Sequence, residues 1–340
     1  MKTAKGSGPV LAALAILLSA LTMGCGSANR DERFFSGKTL TIVVSHGAGG
    51  MDSYARALAP YLQKYLHASR VIVRNVPTDG GIVGRNDVFE AKPDGLTLGF
   101  TTSAGSLLAE WSGDREVRYK SAEFSYLGRL NAEAHVLVAS PRSKLADLGD
   151  LARADRVVMG FAGVAGDDYY ISRMAADLLG FRIRPKTDYL TADEAILSCV
   201  KGDIDAVLLS YSSLKDQIEA GTVVPLLVFG PARMAALPSV PTVFENVPTE
   251  KRELMGAVVK IYALDRTLFG PPLIPAGRLA ALRGALDRAV SDPGFRSDMK
   301  ALGRPMDFLD GADTAALLET ILSYQDRIKP LVLALSGGAD

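Results

Sequence analysis

Two glycine-rich stretches near the start of this 340-residue chain have residue types and spacing suited to anion binding. The first is Ser45-His46-Gly47-Ala48-Gly49-Gly50, with Asp52 just beyond it. The second is Thr78-Asp79-Gly80-Gly81, within Asn75–Gly84. Glycine bares the backbone amide, and unpaired N–H groups at a helix N-terminus attract negative charge, reinforced by the helix dipole. Asp52 stands where a capping or first-turn acid belongs. A third group lies mid-chain, where the loop Phe161–Gly166, with Gly163 and Val164 inside it, runs into Asp167 and Asp168. Paired acids there satisfy orphan helix N–H groups and would repel a carboxylate brought within a few ångströms.

These residues need elements to hold them. Thr39–Val44 is a β-branched run that reads as a strand buried on both faces. Ala55, Leu58, Ala59, Leu62 and Leu66 then recur at helical spacing, and Pro60 within that run is expected to kink the helix. Arg70–Arg74 is a second strand; Lys92-Pro93-Asp94-Gly95 is a tight turn that launches a third, Leu96–Thr101, which ends at Thr102-Ser103-Ala104-Gly105. In an open α/β sheet such strand ends gather at one crevice. His135–Ser140 reads as a strand leaving this domain, and a second α/β run follows. It comprises helix Leu145–Arg153, strand Arg156–Gly160, helix Asp167–Leu179, strand Arg182–Thr187, helix Ala192–Lys201, strand Ile204–Ser210 and helix Ser212–Glu219. Val223–Phe229 is a strand that could carry the chain back. Prolines from Pro238 to Pro275 mark an irregular passage, and two helices close the chain, near Pro275–Val290 and Asp313–Leu333. Trp111 lies outside every motif and reads as packing.

Composition narrows the function. Lys+Arg and Asp+Glu are both 38, so no global field recruits nucleic acid. The three histidines are scattered and the two cysteines far apart, so no spacing suggests a metal or a metal cofactor. A dinucleotide fingerprint is excluded, because Asp52 replaces the third glycine of Gly47-Ala48-Gly49-Gly50-Met51-Asp52 and Asn75 replaces the acid that ends strand two. Lys2, Lys5 and the apolar run Val10–Leu21 form a signal segment, 1–25, too short for a membrane span of roughly 20 residues. It ends Leu21-Thr22-Met23-Gly24-Cys25, similar to a bacterial lipoprotein cleavage site, with Thr22 where leucine is usual. Without Lys2 and Lys5 the chain carries 36 basic against 38 acidic residues. Residues 26–37 are polar and read as a tether.

Several of these motifs occur together, in order, in one family. Val44–Arg56, Asn75–Gly84, Lys92–Leu98, Val158–Gly166, Lys201-Gly202-Asp203-Ile204-Asp205 and Leu237–Glu245 resemble landmarks of the solute receptors of the tripartite tricarboxylate transporter, or Bug, family. The resemblance implies an α/β fold of the type II periplasmic binding protein class, a Venus flytrap of two doubly wound domains joined by crossing strands. Lobe 1 would span 38–137 and 228–340, and lobe 2 138–227. It implies a non-enzymatic receptor, without a cofactor, that holds a small organic carboxylate through backbone amides and waters of the first two glycine loops. Membrane transporter subunits would be its partners. By family position the ligand candidates are Ser45, His46, Gly47, Ala48, Gly49, Gly50, Thr78, Asp79, Gly80, Gly81 and Ser103 in lobe 1. In lobe 2 they are Gly163, Val164, Gly166, Asp167, Asp168, Tyr189 and Thr191. Location outside the cytoplasm follows, with a lipid on Cys25 as anchor.

The departures bear on the ligand. Ser45, His46 and Gly47 replace proline, an aromatic and proline, and the first loop is one residue shorter. Phe161, Ala162, Asp167 and Asp168 replace a serine-rich loop, and Met255–Phe269 lacks the usual tryptophan–glycine segment. A second carboxylate at the lobe 2 end would lose its donors, so the far end of the ligand is expected to be apolar, aromatic or amine-bearing rather than tricarboxylate-like. Two alternatives remain: a sensory receptor read by a signalling partner, and an esterase-like hydrolase. For the latter, His46–Gly50 resembles an oxyanion loop and Ser103-Ala104-Gly105 a nucleophile elbow. Against it, Thr101 replaces the first elbow glycine, and His135 is the only histidine after Ser103, leaving little room for an intervening acid. The cleavage-site reading has a direct test: mass spectrometry of the membrane fraction should find a lipidated mature N-terminus at Cys25. A Cys25→Ser variant that stays equally membrane-bound would refute it.

Overall fold

The computed structural model describes Asp31, residues 33–164 and residues 166–336. The signal segment and Cys25 lie outside the described residues. Folded chain begins earlier than a tether through 37 implies: Phe35 is fully buried in the first core, and Lys38 and Arg278 both stack on Phe34.

The first sheet has six strands in the order β11-β4-β10-β3-β1-β2, with β1 Thr39–Val44, β2 Arg70–Asn75, β3 Thr97–Thr101, β4 Ser125–Arg129, β10 Thr267–Gly270 and β11 Leu309–Asp310. β1, β2 and β3 are parallel, so their C-terminal ends at Val44, Asn75 and Thr101 meet on one edge. Successive β1 side chains point to opposite faces, as strand geometry requires. Leu40, Ile42 and Val44 enter one apolar core with Tyr54, Leu58 and Leu62 of helix Gly50–Leu66 and Leu282 and Leu286 of helix Ala276–Ser291. Val43 enters another. The opening helix runs unbroken through Pro60, which is exposed and leaves one carbonyl without its helical donor.

The second sheet has five strands in the order β7-β6-β8-β5-β9, with β5 His135–Ala139, β6 Val157–Gly160, β7 Ile183–Lys186, β8 Ala206–Ser210 and β9 Val224–Phe229. β5 and β9 belong to it along their whole length, paired antiparallel. The lobe boundaries expected at 137/138 and 227/228 therefore cut through strands; the outward crossing lies before His135. The return comes later than β9. Leu237 and Val240 still pack in the second lobe, and the chain regains the first sheet only at β10, which inserts antiparallel between β3 and β4. The expected irregular passage holds helices Val243–Asn246 and Arg252–Ile261. The expected last helix is two, Gly311–Leu322 and Gln325–Ser336, and a further helix, Pro293–Ala301, precedes them.

The lobes are more than two domains on a pair of strands. Leu107, Leu108 and Trp111 of helix Ser103–Trp111, Ile171 and Met174 of helix Asp167–Leu179, Val258 and Ile261 of helix Arg252–Ile261, and Ile328 and Val332 near the C-terminus share one core with residues of both sheets. That helical layer fuses the lobes on one side. On the other side the loops meet: a side chain on Gly47 would strike the Thr191 methyl at 2.9 Å, and one on Gly163 would stand 3.3 Å from Gly80.

Gly81 sets the spacing of the two glycine loops. Its φ is +88°, and a Cβ there would lie 2.2 Å from the Ser45 carbonyl oxygen. Gly180 has a similar φ, +82°, with nothing within 4 Å. Gly180→Ala should cost about 1 kcal/mol, the left-handed penalty alone. Gly81→Ala should cost about 1–3 kcal/mol more, because backbone must move. Denaturant unfolding measures both; equal losses would contradict the close contact.

Candidate functional site

The edge where β1, β2 and β3 end faces loops of the second lobe across a cavity of about 140 Å³. The first loop is held from behind. Gly49 is the helix N-cap, with φ 147° and no side-chain cap bond, and Asp52 takes the first-turn place of the two expected for it. The Asp52 carboxylate pairs with Arg56 at 2.8 Å. Arg56 donates to Asn75 Oδ1 at 2.9 Å, and Asn75 donates to the His46 carbonyl at 3.0 Å. This relay ties the loop to the end of β2 and leaves Ser45, His46, Gly47, Ala48 and Gly50 on the cavity wall, with Gly49 behind them.

The second loop contributes Pro77 and Gly80. Asp79, Gly80 and Gly81 are all left-handed, a conformation cheap only for the glycines. Thr78 and Asp79 turn outward to a neighbouring groove with Gly163, Val164 and Tyr189. Gly81 is buried against Ser45. After β3, Thr102 lines the cavity and caps helix Ser103–Trp111 by accepting from Gly105 N–H at 3.3 Å. Ser103 is buried and hydrogen-bonded to the Tyr126 hydroxyl, so the serine of the supposed nucleophile elbow lies off the cavity wall.

The second lobe supplies Gly166, Asp167, Asp168 and Thr191, together with Ala162 and Leu190. Thr191 caps helix Ala192–Lys201 by accepting from Glu194 N–H at 3.2 Å. Tyr189 does not reach the cavity, its hydroxyl lying 2.6 Å from Ser198 Oγ. Of the expected residues, ten therefore line one cavity, and Gly49, Thr78, Asp79, Gly81, Ser103, Gly163, Val164 and Tyr189 stand outside it.

Beyond Thr102, five polar wall residues were not among those expected from the sequence: Ser210, Ser213, His135, Asp265 and Arg266. Arg266 is 3% exposed and left-handed, with φ +44°, rare for a non-glycine residue. It donates to its neighbour Asp265, and its Nη2 lies 3.0 Å from both Ser210 Oγ and Glu133 Oε1. Glu133 also accepts from the Ser212 N–H at 2.9 Å and hydroxyl at 2.6 Å. Arg266 Nε has no partner. The cluster joins β10, the second lobe and the crossing segment at one buried point. Its signal in the sequence was the departure within Met255–Phe269, which is where Asp265 and Arg266 lie.

Burial dominates the titration of the site. His46, whose Nδ1 lies 3.5 Å from Thr101 Oγ1, is pushed down to about 3 by burial and then by the charges of Arg85 and Arg266. His135, stacked on Tyr262 at 3.7 Å, is pushed to about 3 by burial and Arg266. Both are therefore neutral imidazoles at neutral pH. Burial raises Asp167 and pushes Asp168 up to about 8, the latter also through the Asp167 charge. Asp168 keeps partial contact with solvent, which softens that penalty.

Comparison with known proteins places this geometry in context. Residues 54–328 match the family model described as tripartite tricarboxylate transporter family receptor. An Agrobacterium vitis relative, the UPF0065 protein in the TAR-I ttuE-ttuC' intergenic region, is 27% identical over 333 residues, covering 94% of this chain and 90% of that one. The solved periplasmic binding protein BugD superposes with a TM-score of 0.71 at 20% identity, covering 87% of this chain and 98% of its own. MatC from Rhodopseudomonas palustris, solved with bound malate, gives 0.70 at 20% identity over 87% and 99%.

The histidines yield a sign-definite prediction. Their folded pKa values near 3 lie below the unfolded value of 6.5, so their stabilisation is complete above about pH 6.5 and is lost as pH falls toward 3. Each contributes a slope of up to about 1.4 kcal/mol per pH unit in that window. His135→Phe, which can still stack on Tyr262, should flatten the fall in unfolding free energy between about pH 6 and 4. An unchanged slope in denaturant titrations would overturn the assignment.

Proposed function

We propose, from the premise that this chain belongs to the tripartite tricarboxylate transporter receptor family, that it is a periplasmic receptor for one small organic carboxylate. The observation that carries this reading is the wall formed by Ser45–Ala48 and Gly50: bare amides at the start of a helix, held in place by the Asn75 relay and facing the cavity between the lobes. Neutral donors suit an anion in a closing cleft, since no cation of theirs must be desolvated when the site is empty. The malate held by MatC, a chain of the same fold, agrees with a small acid. The cavity is well below the ~300 Å³ of drug-sized pockets. Its far wall presents Asp167 and Asp168 where a second carboxylate would meet like charge, which disfavours a tricarboxylate.

Among the described residues no helix is long and apolar enough to cross a membrane. The motif Gly24-Cys25 supports a lipid on Cys25 as the anchor, and the receptor would hand its ligand to the membrane subunits of a tripartite tricarboxylate-type transporter. Ligand release requires the Gly47–Thr191 and Gly80–Gly163 contacts to part, pivoting on the shared helical core.

Calorimetric titration against mono-, di- and tricarboxylates tests the reading. At least one small acid should bind and, at about a hundred times its dissociation constant, add about 2.7 kcal/mol to stability. Small-angle scattering should show a smaller radius with it present. Absence of any carboxylate binding refutes the receptor reading, and citrate binding more tightly than every monocarboxylate refutes the selectivity.

A further inference from the structure

Three arginines are buried among the described residues: Arg85, Arg129 and Arg266. Arg129 donates to the Ala263 carbonyl at 3.0 Å and to Asp307 at 2.6 Å, and Arg266 is held by Asp265, Glu133 and Ser210. Arg85 differs. It is 0% exposed, and its Nε, Nη1 and Nη2 all lack a hydrogen-bond partner among the described residues. It also lies near the start of helix Ile82–Phe89, at the positive end of the helix dipole. A charge taken from water without partners is costly, and an apolar side chain of similar size would be neutral or better there.

The place of this charge relates it to the ligand wall. Gly84, the residue before it, packs on the first glycine loop: a Cβ there would lie 3.0 Å from Ser45 Oγ and 2.9 Å from the Val76 carbonyl oxygen. Helix Ile82–Phe89 therefore backs the wall that carries Ser45 and His46, and Ser45 Oγ on that wall is itself without a partner. The polar groups around the guanidinium are committed elsewhere. The Tyr119 hydroxyl donates to the Ser106 carbonyl at 3.0 Å. Asp167, whose charged form Arg85 favours, belongs to the second lobe and also answers to Arg266. The Arg85 charge reaches His46 on the wall, where it adds to the burial that keeps the ring neutral. In an interior closed to water such a field is weakly screened.

We propose that Arg85 is the charge that gives this site its anion selectivity: held without a partner behind Ser45 and His46, it takes the ligand's carboxylate, bound by the amides in front, as its counter-ion. Arg85 is thus a positioning residue that acts through the wall and does not touch the ligand. This rests on the carboxylate-receptor reading and deepens it by naming the buried cation that the neutral donors lack.

Arg85→Met and Arg85→Gln, both uncharged and of similar length, test it on the full mature chain. Without ligand, at least one of them should melt at or above the wild-type temperature, because an unpaired buried charge is gone. Calorimetric titration with butyrate, succinate and malate should show that same variant binding each acid the wild type binds about tenfold or more weakly. A residue that only packs would lose stability and affinity together, so a fall of both in both variants overturns the proposal. Unchanged affinity overturns it as well and leaves the receptor reading standing. Ligand-free wild type that sodium chloride stabilises as much as any of the acids would make Arg85 the partner of a structural anion, which also overturns it. If none of the three acids, nor any other in the wider panel, binds the wild type, this proposal and the receptor reading fall together.

Discussion

The contact between the Ser45 backbone and Gly81 is the constraint on which the site depends. Two loops from adjacent parallel strands approach until no side chain fits between them, and Gly84 adds a second tight approach, to the Val76 carbonyl and Ser45 Oγ. Close backbone approach turns two flexible glycine stretches into one wall with fixed amides. The Asp52–Arg56–Asn75 relay then locks that wall to the sheet from outside the cavity. Rigidity is thus achieved without placing a charged side chain among the donors, and an anion meets preorganised dipoles.

The apolar core shared between the lobes decides how the opposing wall can move. Helices from both ends of the chain cover that side, while on the other Gly47 faces Thr191 and Gly80 faces Gly163. Both contacts are made by glycine against a small neighbour, which lets the lobes meet closely and part without extracting a long side chain.

Charge compensation gives the cavity its asymmetry. Arg266 is held among Asp265, Glu133 and Ser210 and thereby links three segments that are distant in the chain. Its charge still reaches His46, His135 and Asp167 across the cavity, whereas Asp168 is opposed by burial and by Asp167. His46 and His135 stay neutral under the same burial and contribute hydrogen-bonding atoms rather than charge.

The sequence alone determined what local pattern can encode. β-branched runs, glycine loops at three strand ends, the helix from Asp167 to Leu179 and the two-lobed α/β order were all legible, because periodicity and left-handed turns constrain residues within a few positions of one another. Tertiary structure decided what depends on distant partners. β10 is four residues of an irregular, proline-rich passage until β3 and β4 flank it. Trp111 belongs to a core drawn from both lobes, whose extent no single stretch reveals. Ser103 looked available beside a strand end, yet its bond to Tyr126 turns it from the cavity. Asp167 and Asp168 are neighbours of identical type, and only the fold brings arginines to bear on the first and none on the second. Compensation of buried charge is a property of the whole enclosure, and a linear chain does not display its enclosure.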